Sequence, residues 1–121
     1  MTGIAQITDG SLISAEKVHG TDVFNGKGEK LGSIEDIMID KITGQVAYAI
    51  LSFGGVLGVG EKQFPLPWST LNYDSQRDGY LIDLDKDRLK NAPSFGADDN
   101  LSWTADYGRT IDKYYGAASP M

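Results

Sequence analysis

The chain has 121 residues, a formal net charge of −6 and no cysteine, which predicts one domain without disulfides or thiolate metal sites. Phosphate groups bind clustered lysine and arginine, so this acidic chain is not expected to bind nucleic acid. No apolar stretch reaches the ~20 residues of a membrane-spanning helix, and the N-terminus lacks the basic and apolar parts of a secretory signal. We therefore expect a cytoplasmic protein with no membrane insertion.

The first part of the chain predicts a loose arm followed by short local structures. Residues 1–10 are small and polar, as in a flexible N-terminal arm. Ser14 is placed to cap a brief helical turn. The stretch Asn25-Gly26-Lys27-Gly28 predicts a turn, because its glycines tolerate positive φ. The folded domain is therefore expected to begin near residue 11.

Two strand patterns joined by a short turn follow. Residues 31–40 are rich in apolar side chains whose alternation breaks between Ile34 and Ile37, and a β-bulge near Glu35 and Asp36 restores it. Residues 40–44 then close a hairpin. In the second strand, residues 45–53, both faces are apolar, unlike an antiparallel strand with water on one side. Its outer face is therefore expected to be covered by the tail, by a second subunit or by another protein.

The next strand contains two prolines. The run FPLPW, residues 64–68, alternates large apolar side chains with prolines, which have no backbone N–H to donate. Both missing donors lie along one strand edge, which predicts an edge strand or the seam of a partly open barrel. A further hairpin is predicted within residues 71–85, and a short helix or turn over residues 86–91, before Pro93.

Residues 96–121 form a predicted tail with an apolar stripe. Four of its side chains recur every four residues, which is helical spacing: Trp103, Tyr107, Ile111 and Tyr115. Gly108 is expected to weaken this helix by about 1 kcal/mol relative to alanine. Because a short isolated helix is marginal, the stripe is expected to dock on its own barrel, on a neighbouring subunit or on a different protein.

A glycine-rich run, residues 54–60, invites a phosphate-binding interpretation. Phosphate loops lead from a strand into a helix whose N–H groups face the anion. Here a proline-bearing strand follows, and the run lacks the lysine and serine or threonine that end a Walker loop. We therefore expect a contact surface instead, formed by the exposed apolar residues Val56, Leu57 and Val59.

Candidate metal-binding and catalytic residues are few. Residues 74–79 match the first half of a calcium loop, but Asp85 stands where a bidentate glutamate is usual. A second aspartate-rich stretch, residues 83–88, has Arg88 where such a loop needs glycine. His19 is the only histidine, and a metal site usually needs several convergent ligands. We expect no metal site, no cofactor and no catalytic residue.

Four segments carry a resemblance that goes beyond these local patterns. They read SAEKVHGTDV from Ser14, GEKLGSIEDIMIDKITGQVAYAIL from Gly28, EKQFPLPWSTL from Glu61 and YLIDLDKDRL from Tyr80. Together they resemble the PRC-barrel family, which includes the barrel of the photosynthetic reaction-centre H subunit and that of a ribosome-maturation factor. The tail WTADYGRTIDKYYG is similar to that of stand-alone bacterial members.

The resemblance implies a mostly β protein. Its expected core is a small, partly open antiparallel β-barrel over residues 11–95, with a short helix, followed by the helical and aromatic tail over residues 96–121. The family has no common catalytic residues, and its shared theme is a small barrel that docks onto other proteins. The expected function is a non-enzymatic protein-interaction or assembly module that forms a homodimer and binds an unidentified protein partner.

Two other functions stay open from the sequence. One is a small-ligand or metal-binding barrel that uses carboxylates at strand ends, such as Asp78, Asp83 and Asp85. The other, implied by the resemblance alone, is an accessory protein of electron transport or photosynthesis. An enzyme is not expected, because it would rest on carboxylates, serines and tyrosines without any convergent cluster in the sequence.

Overall fold

The structure, a computed structural model, describes residues 12–53, 62–96 and 102–117. Seven strands and three α-helices lie within these ranges. In chain order they are α1 (Ala15–Val18), β1 (Asp22–Asn25), β2 (Lys30–Ile39), β3 (Val46–Phe53), β4 (Lys62–Pro67), β5 (Asn72–Asp74), β6 (Gly79–Ile82), α2 (Lys86–Lys90), β7 (Phe95–Gly96) and α3 (Ala105–Tyr115). A 3₁₀ turn at Trp68–Thr70 follows β4.

The seven strands form one sheet in the order β5-β6-β1-β2-β3-β4-β7. All neighbours pair antiparallel except β1 and β6, which are parallel. Over the described residues β5 and β7 end the sheet without pairing with each other, so the sheet does not close. The predicted fold class, a mostly β and partly open barrel with short helices, is therefore confirmed.

Strands β2 and β3 form the longest hairpin, and β2 is bulged where the sequence predicts it. Ile34 pairs with Leu51 and the next pair is Asp36 with Ile50, so Glu35 is the extra residue of the bulge. A bulge bends a strand and increases its twist, which is what curves a sheet toward a barrel. The hairpin turn lies between Ile39 and Val46, as predicted.

The proline-bearing half of strand β4 is an edge of the sheet in the described residues, as its prolines predict. It pairs with β3 along its whole length, with Pro65 opposite Ile50 and Pro67 opposite Tyr48. On its other side β7 pairs only with Lys62 and Gln63. The proline-bearing half of β4 therefore has no strand along its outer edge among the described residues, which agrees with the missing N–H donors.

The hydrophobic core lies on one face of the sheet. Side chains from β1, β2, β3, β4, β6 and α2 meet there, including Val23, Leu31, Ile34, Ala49, Leu51, Phe64, Leu66, Tyr80, Ile82 and Leu89. Both α1 and α2 begin at a capped residue, because Ser14 and Asp85 accept the backbone N–H of Lys17 and Arg88. These short helices thus place Val18 and Leu89 into the core.

Two elements were not predicted from the sequence. Strand β1 has only four residues and begins and ends with a polar residue, and β7 has two residues. Asn25 at the end of β1 is nevertheless buried, because its side chain accepts the N–H groups of Lys27 and Glu29 and donates to the Glu29 carboxylate.

Within the described part of the chain, no helix has both the length and the apolar character needed to span a membrane.

Candidate interaction surface

The tail helix α3 packs against the outer face of the sheet. In β3 the residues alternate between the two faces, with Ala49 and Leu51 in the core and Tyr48 and Ile50 on the other face. Both Tyr48 and Ile50 are nevertheless buried, and helix α3, which contacts β4, contributes the fully buried Ile111. Strand β3 is apolar on both faces, and its outer face thus lies next to helix α3 in the tail of the same chain.

The Tyr48 hydroxyl on β3 donates to two acceptors on α3 across this interface. The Tyr48 hydroxyl lies 2.9 Å from Asp112 Oδ1 and 3.3 Å from the Gly108 carbonyl oxygen. Asp112 is only 4 % exposed, and its Oδ2 has no hydrogen-bond partner among the described residues. Burial, together with the neighbouring Asp112 carboxylate, raises the pKa of Tyr48 far above its usual value, so its hydroxyl keeps its proton.

Gly108 of α3 lies against the Tyr48 side chain of β3. A Cβ atom built there would lie 3.2 Å from the Tyr48 hydroxyl and 3.7 Å from Trp103 Nε1. From the sequence alone, Gly108 is expected only to weaken the helix relative to alanine. The structure adds a packing reason for it, because a glycine lets the helix backbone approach the tyrosine ring.

The four residues of the predicted stripe do not all belong to α3. Thr104 caps the helix, so Trp103 precedes it, and the Trp103 ring lies 5.1 Å from the rings of both Tyr48 and Tyr107. Ile111 is fully buried, whereas Tyr107 and Tyr115 are half-buried. The residues of α3 that are buried are therefore Gly108, Ile111 and Asp112.

A second contact holds the C-terminal end of α3 to α2. The Arg88 guanidinium lies over the Tyr114 ring, 4.6 Å from its centroid, and donates to the Tyr114 carbonyl oxygen. The Tyr114 hydroxyl in turn donates to the Arg88 carbonyl oxygen at 2.5 Å. Burial raises the pKa of the neighbouring Tyr115. Helix α3 is thus attached at two places, by Tyr48 on the sheet at its middle and by Arg88 on α2 at its C-terminal end.

A cleft of about 440 Å³ opens where the hairpin meets the start of α3. Its walls are mostly apolar and are formed by Met38, Ile39, Asp40, Ala47, Tyr48, Trp103, Thr104, Ala105, Gly108 and Arg109. We call it the hairpin–helix cleft. Its volume lies within the range of small-molecule-binding pockets.

Beside the cleft, the hairpin turn exposes a large aliphatic residue. Ile42 is 86 % exposed and Ile39 is 52 % exposed. Asp40 Oδ1 accepts the N–H groups of Ile42 and Thr43, and these bonds hold the pKa of that carboxyl below its usual value. Gly44, with a φ of 80°, donates to the Asp40 carbonyl. The turn is thus fixed by Asp40 and Gly44, and it presents Ile42 to solvent.

Neither Ile42 nor Asp112 was singled out in the sequence. Ile42 lies in a turn that the sequence predicts from its aspartate and glycine, and its own apolar character was the overlooked signal. Asp112 directly follows Ile111 in the sequence but lies outside the apolar stripe. The spacing of residues therefore gives no indication that this charged side chain is buried.

The other candidate groups do not converge in the described part of the chain. There, no three side chains of histidine, aspartate or glutamate gather to hold a metal ion. Asp78 accepts a hydrogen bond from Tyr73, and Asp85 caps α2. His19 Nε2 lies 3.9 Å from the Glu35 carboxylate, and both side chains are exposed. Asp83 and Asp85 line a second cleft of about 400 Å³ together with Lys27 and Arg88, so the charges there are mixed.

Part of the predicted contact surface lies outside the described residues. Val56, Leu57 and Val59, with the glycine-rich run 54–60, belong to the range 54–61. The prediction that they form a contact surface stays a prediction.

Comparison with known proteins gives one positive finding. A search of the curated proteins found no match. The sequence profile described as the PRC-barrel domain matches residues 11–89, which is more than half of the chain and includes every strand from β1 to β6. This chain therefore belongs to the PRC-barrel family.

Proposed function

We propose that this protein is a non-enzymatic interaction module that docks onto another protein through the end of its β2–β3 hairpin and the adjoining hairpin–helix cleft. One observation carries the proposal: the exposed Ile42 lies in the turn that adjoins an apolar cleft, and the walls of that cleft include the exposed Ile39 and Trp103. Of the four large apolar side chains that are exposed in the described residues, two lie at this hairpin end. Contiguous apolar surface of this kind is typical of protein contact sites.

The chemistry of the described residues supports a binding role over a catalytic one. The tyrosines with raised pKa values are buried in packing contacts or bonded to a neighbouring carboxylate. The carboxyls with lowered pKa values, Glu29, Asp40 and Asp78, serve in local side-chain or turn hydrogen bonds. Asp40 and Tyr48 both line the hairpin–helix cleft, but Asp40 accepts the N–H groups of its own turn and the Tyr48 hydroxyl donates to Asp112. Each is thus engaged in a structural bond, whereas general acid–base catalysis needs groups that face one substrate.

A photo-crosslinking experiment tests the proposed contact surface. A photoreactive amino acid is placed at position 42 of the full chain and, as a control, at position 12, where Leu12 is 74 % exposed. After irradiation in cells of the source organism, we expect discrete crosslinked protein species from position 42 that are absent from position 12. Replacing Ile39 by serine in the position-42 protein should weaken them. Equal products from both positions, or none from position 42, would refute the proposal.

A small-ligand function is the second candidate, and the size and lining of the hairpin–helix cleft favour it. A ligand that binds only the folded protein raises the melting temperature as its concentration rises. A thermal-shift screen with apolar aromatic acids and divalent cations is the direct test. Trp103 lines the cleft and is the only tryptophan left in a Trp68→Phe variant. A compound that raises the melting temperature must therefore also change the tryptophan fluorescence of that variant. A screen without such hits removes this candidate.

A further inference from the structure

We propose that Asn25 is a latent site of covalent modification, which the folded barrel protects and which deamidates when the turn after β1 opens. Asn25 is the one asparagine in the sequence that is followed directly by glycine. It lies at the end of β1 and shares no residue with the hairpin–helix cleft, so this inference does not depend on the proposed interaction function.

The reaction needs only the chain and water. The backbone nitrogen of Gly26 attacks Cγ of Asn25, a new C–N bond forms, and the side-chain nitrogen leaves as ammonia with the proton that the Gly26 nitrogen loses. Water then opens the resulting five-membered succinimide at one of its two carbonyl groups. One opening leaves an aspartate at position 25, and the other leaves an isoaspartate, whose backbone contains an extra methylene. Glycine favours the attack because it has no side chain beside the attacking nitrogen.

In the folded chain, three hydrogen bonds hold the Asn25 side chain in place. Its Oδ1 accepts the N–H groups of Lys27 and Glu29, both at 3.0 Å, and its Nδ2 donates to Glu29 Oε1 at 2.8 Å. Asn25 is also only 2 % exposed. The side chain must rotate before Cγ can meet the Gly26 nitrogen, and this rotation breaks those bonds. Deamidation therefore requires local opening of the turn, which makes it slow in the folded chain.

Gly26, which makes the asparagine reactive, is not required by the shape of the turn. Gly28 has a φ of 84°, which favours glycine, whereas the φ of Gly26 is not in the left-handed region. A Cβ atom built on Gly26 would have no described heavy atom within 4 Å apart from those of its neighbours in the chain. The turn thus needs Asn25 and Gly28, but an alanine would fit at position 26.

The products of the reaction do not fit the place of Asn25. The hydrogen bond from the Asn25 amide lowers the pKa of the Glu29 carboxyl, which is ionised at neutral pH. An aspartate at position 25 would place a second carboxylate where the amide now donates. Lys86 Nζ lies 3.8 Å from Glu29 Oε2, and this exposed pair offsets the repulsion only in part. An isoaspartate would lengthen the backbone at the residue that pairs with Ile82 of β6.

Peptide mapping by mass spectrometry tests the protection. The full chain is incubated at mildly alkaline pH, folded in buffer or unfolded in guanidinium chloride. In the unfolded chain we expect Asn25 to deamidate faster than Asn72 and Asn91, which precede tyrosine and alanine. In the folded chain the reaction at Asn25 should be more than about tenfold slower than in the unfolded chain. Equal rates at Asn25 in both states, or no preference for Asn25 in the unfolded chain, would overturn the proposal.

Two variants separate the reactivity of the site from its protection. Gly26→Ala should slow deamidation in guanidinium chloride without lowering the melting temperature, because alanine fits there. Glu29→Ala removes the acceptor of the Asn25 amide, so it should speed deamidation of the folded chain and leave the rate in guanidinium chloride unchanged. A Gly26→Ala chain that deamidates as fast as the wild type when unfolded would contradict the proposed attack by the Gly26 nitrogen.

Asn25→Asp tests the consequence of the reaction for the fold, because it has the same chemical structure as one product. We expect it to lower the melting temperature, whereas the matched change Asn72→Asp, at an exposed position of β5, should have little effect. A chain that deamidates while unfolded should therefore refold to a less stable barrel. An Asn25→Asp variant as stable as Asn72→Asp would overturn this consequence.

Discussion

The Tyr48 hydroxyl on strand β3 lies 2.9 Å from the carboxylate of Asp112 on helix α3, which is 64 residues further along the chain. Both residues are buried. An apolar stripe can slide along an apolar face at little cost, whereas a buried hydrogen bond is satisfied at one position only. This pair therefore fixes the position of the tail helix along the sheet, while Ile111 is fully buried and the rings of Trp103 and Tyr107 add aromatic contacts.

The first prediction concerns this hydrogen bond. In Tyr48→Phe the buried Asp112 carboxylate loses its only side-chain partner among the described residues, so we expect a loss of about 2–3 kcal/mol in the free energy of unfolding. In Asp112→Ala the Tyr48 hydroxyl keeps the Gly108 carbonyl within 3.3 Å, and about 1–2 kcal/mol should be lost. Urea denaturation of the full chain measures both.

The double variant provides the control for that prediction. Tyr48→Phe with Asp112→Ala leaves neither group unpaired, so its loss should be smaller than the sum of the two single losses by about 1 kcal/mol or more. Strictly additive losses would show that the two side chains do not interact in solution.

The second prediction concerns Gly108. Alanine normally stabilises a helix by about 1 kcal/mol relative to glycine, but a methyl group here lies 3.2 Å from the Tyr48 hydroxyl. We therefore expect no net stabilisation from Gly108→Ala and a clear loss from Gly108→Leu, measured by thermal denaturation. The matched control is Thr110→Leu on the exposed face of α3, which should be neutral or slightly stabilising. A stabilising Gly108→Leu would mean that α3 does not pack on Tyr48.

The third prediction concerns the contact between α2 and α3. Replacing Arg88 by glutamine removes a guanidinium stacked on the Tyr114 ring and its bond to the Tyr114 carbonyl. An exposed cation–π contact is worth about 0.5–1 kcal/mol, so the last turn of α3 should exchange its amide hydrogens about two- to fivefold faster. The same change at the exposed Lys90, on the same helix, is the control. Equal effects from both variants would contradict a specific role for Arg88.

The fourth prediction follows from the raised pKa values of Tyr48 and Tyr115. A tyrosine in the unfolded chain has a pKa of about 10. Because the folded-state pKa is higher, the contribution of these groups to stability is complete below about pH 10 and is lost as the pH rises above it. Absorbance at 295 nm should therefore show part of the tyrosine ionisation coinciding with alkaline unfolding, and Tyr48→Phe should reduce that part. Full ionisation of a still folded chain near pH 10 would contradict the burial.

The sequence predicted those parts of the fold that depend on local pattern. The break between Ile34 and Ile37 indicated a bulge near Glu35 and Asp36, which the structure has at Glu35, and the prolines of residues 64–68 indicated the unpaired edge of β4. Strand β1 was missed because its four residues show no alternation. It becomes a strand only by pairing with β2 and, in parallel, with β6, whose first residue is Gly79. The pairing of β1 with β6 joins residues more than fifty positions apart, so no pattern within the local sequence indicates it.

The candidate surface was predicted less well, and for a similar reason. The stripe containing Trp103 and Ile111 indicated a docked tail, but the position of the tail depends on Asp112, whose burial is set by its partner on β3. Ile42 was overlooked because turns are identified from residues such as Asp40 and Gly44, which determine backbone shape. An exposed apolar residue within a well-formed turn is significant only once its exposure is known.

The last prediction concerns the aromatic residues at the start of the tail. The Trp103 ring packs 5.1 Å from both Tyr48 and Tyr107, and each such pair contributes about 0.5–1.5 kcal/mol beyond burial. Replacing Trp103 and Tyr107 together by alanine should therefore destabilise the chain by about 2 kcal/mol or more and lower its melting temperature by roughly 8 °C. The exposed Ser102→Ala is the control and should leave the melting temperature unchanged. Because Trp103 also forms one wall of the hairpin–helix cleft, Trp103→Ala alone should weaken any complex formed there, even where the barrel stays folded. An unchanged melting temperature in the double variant would show that these rings do not dock on the sheet in solution.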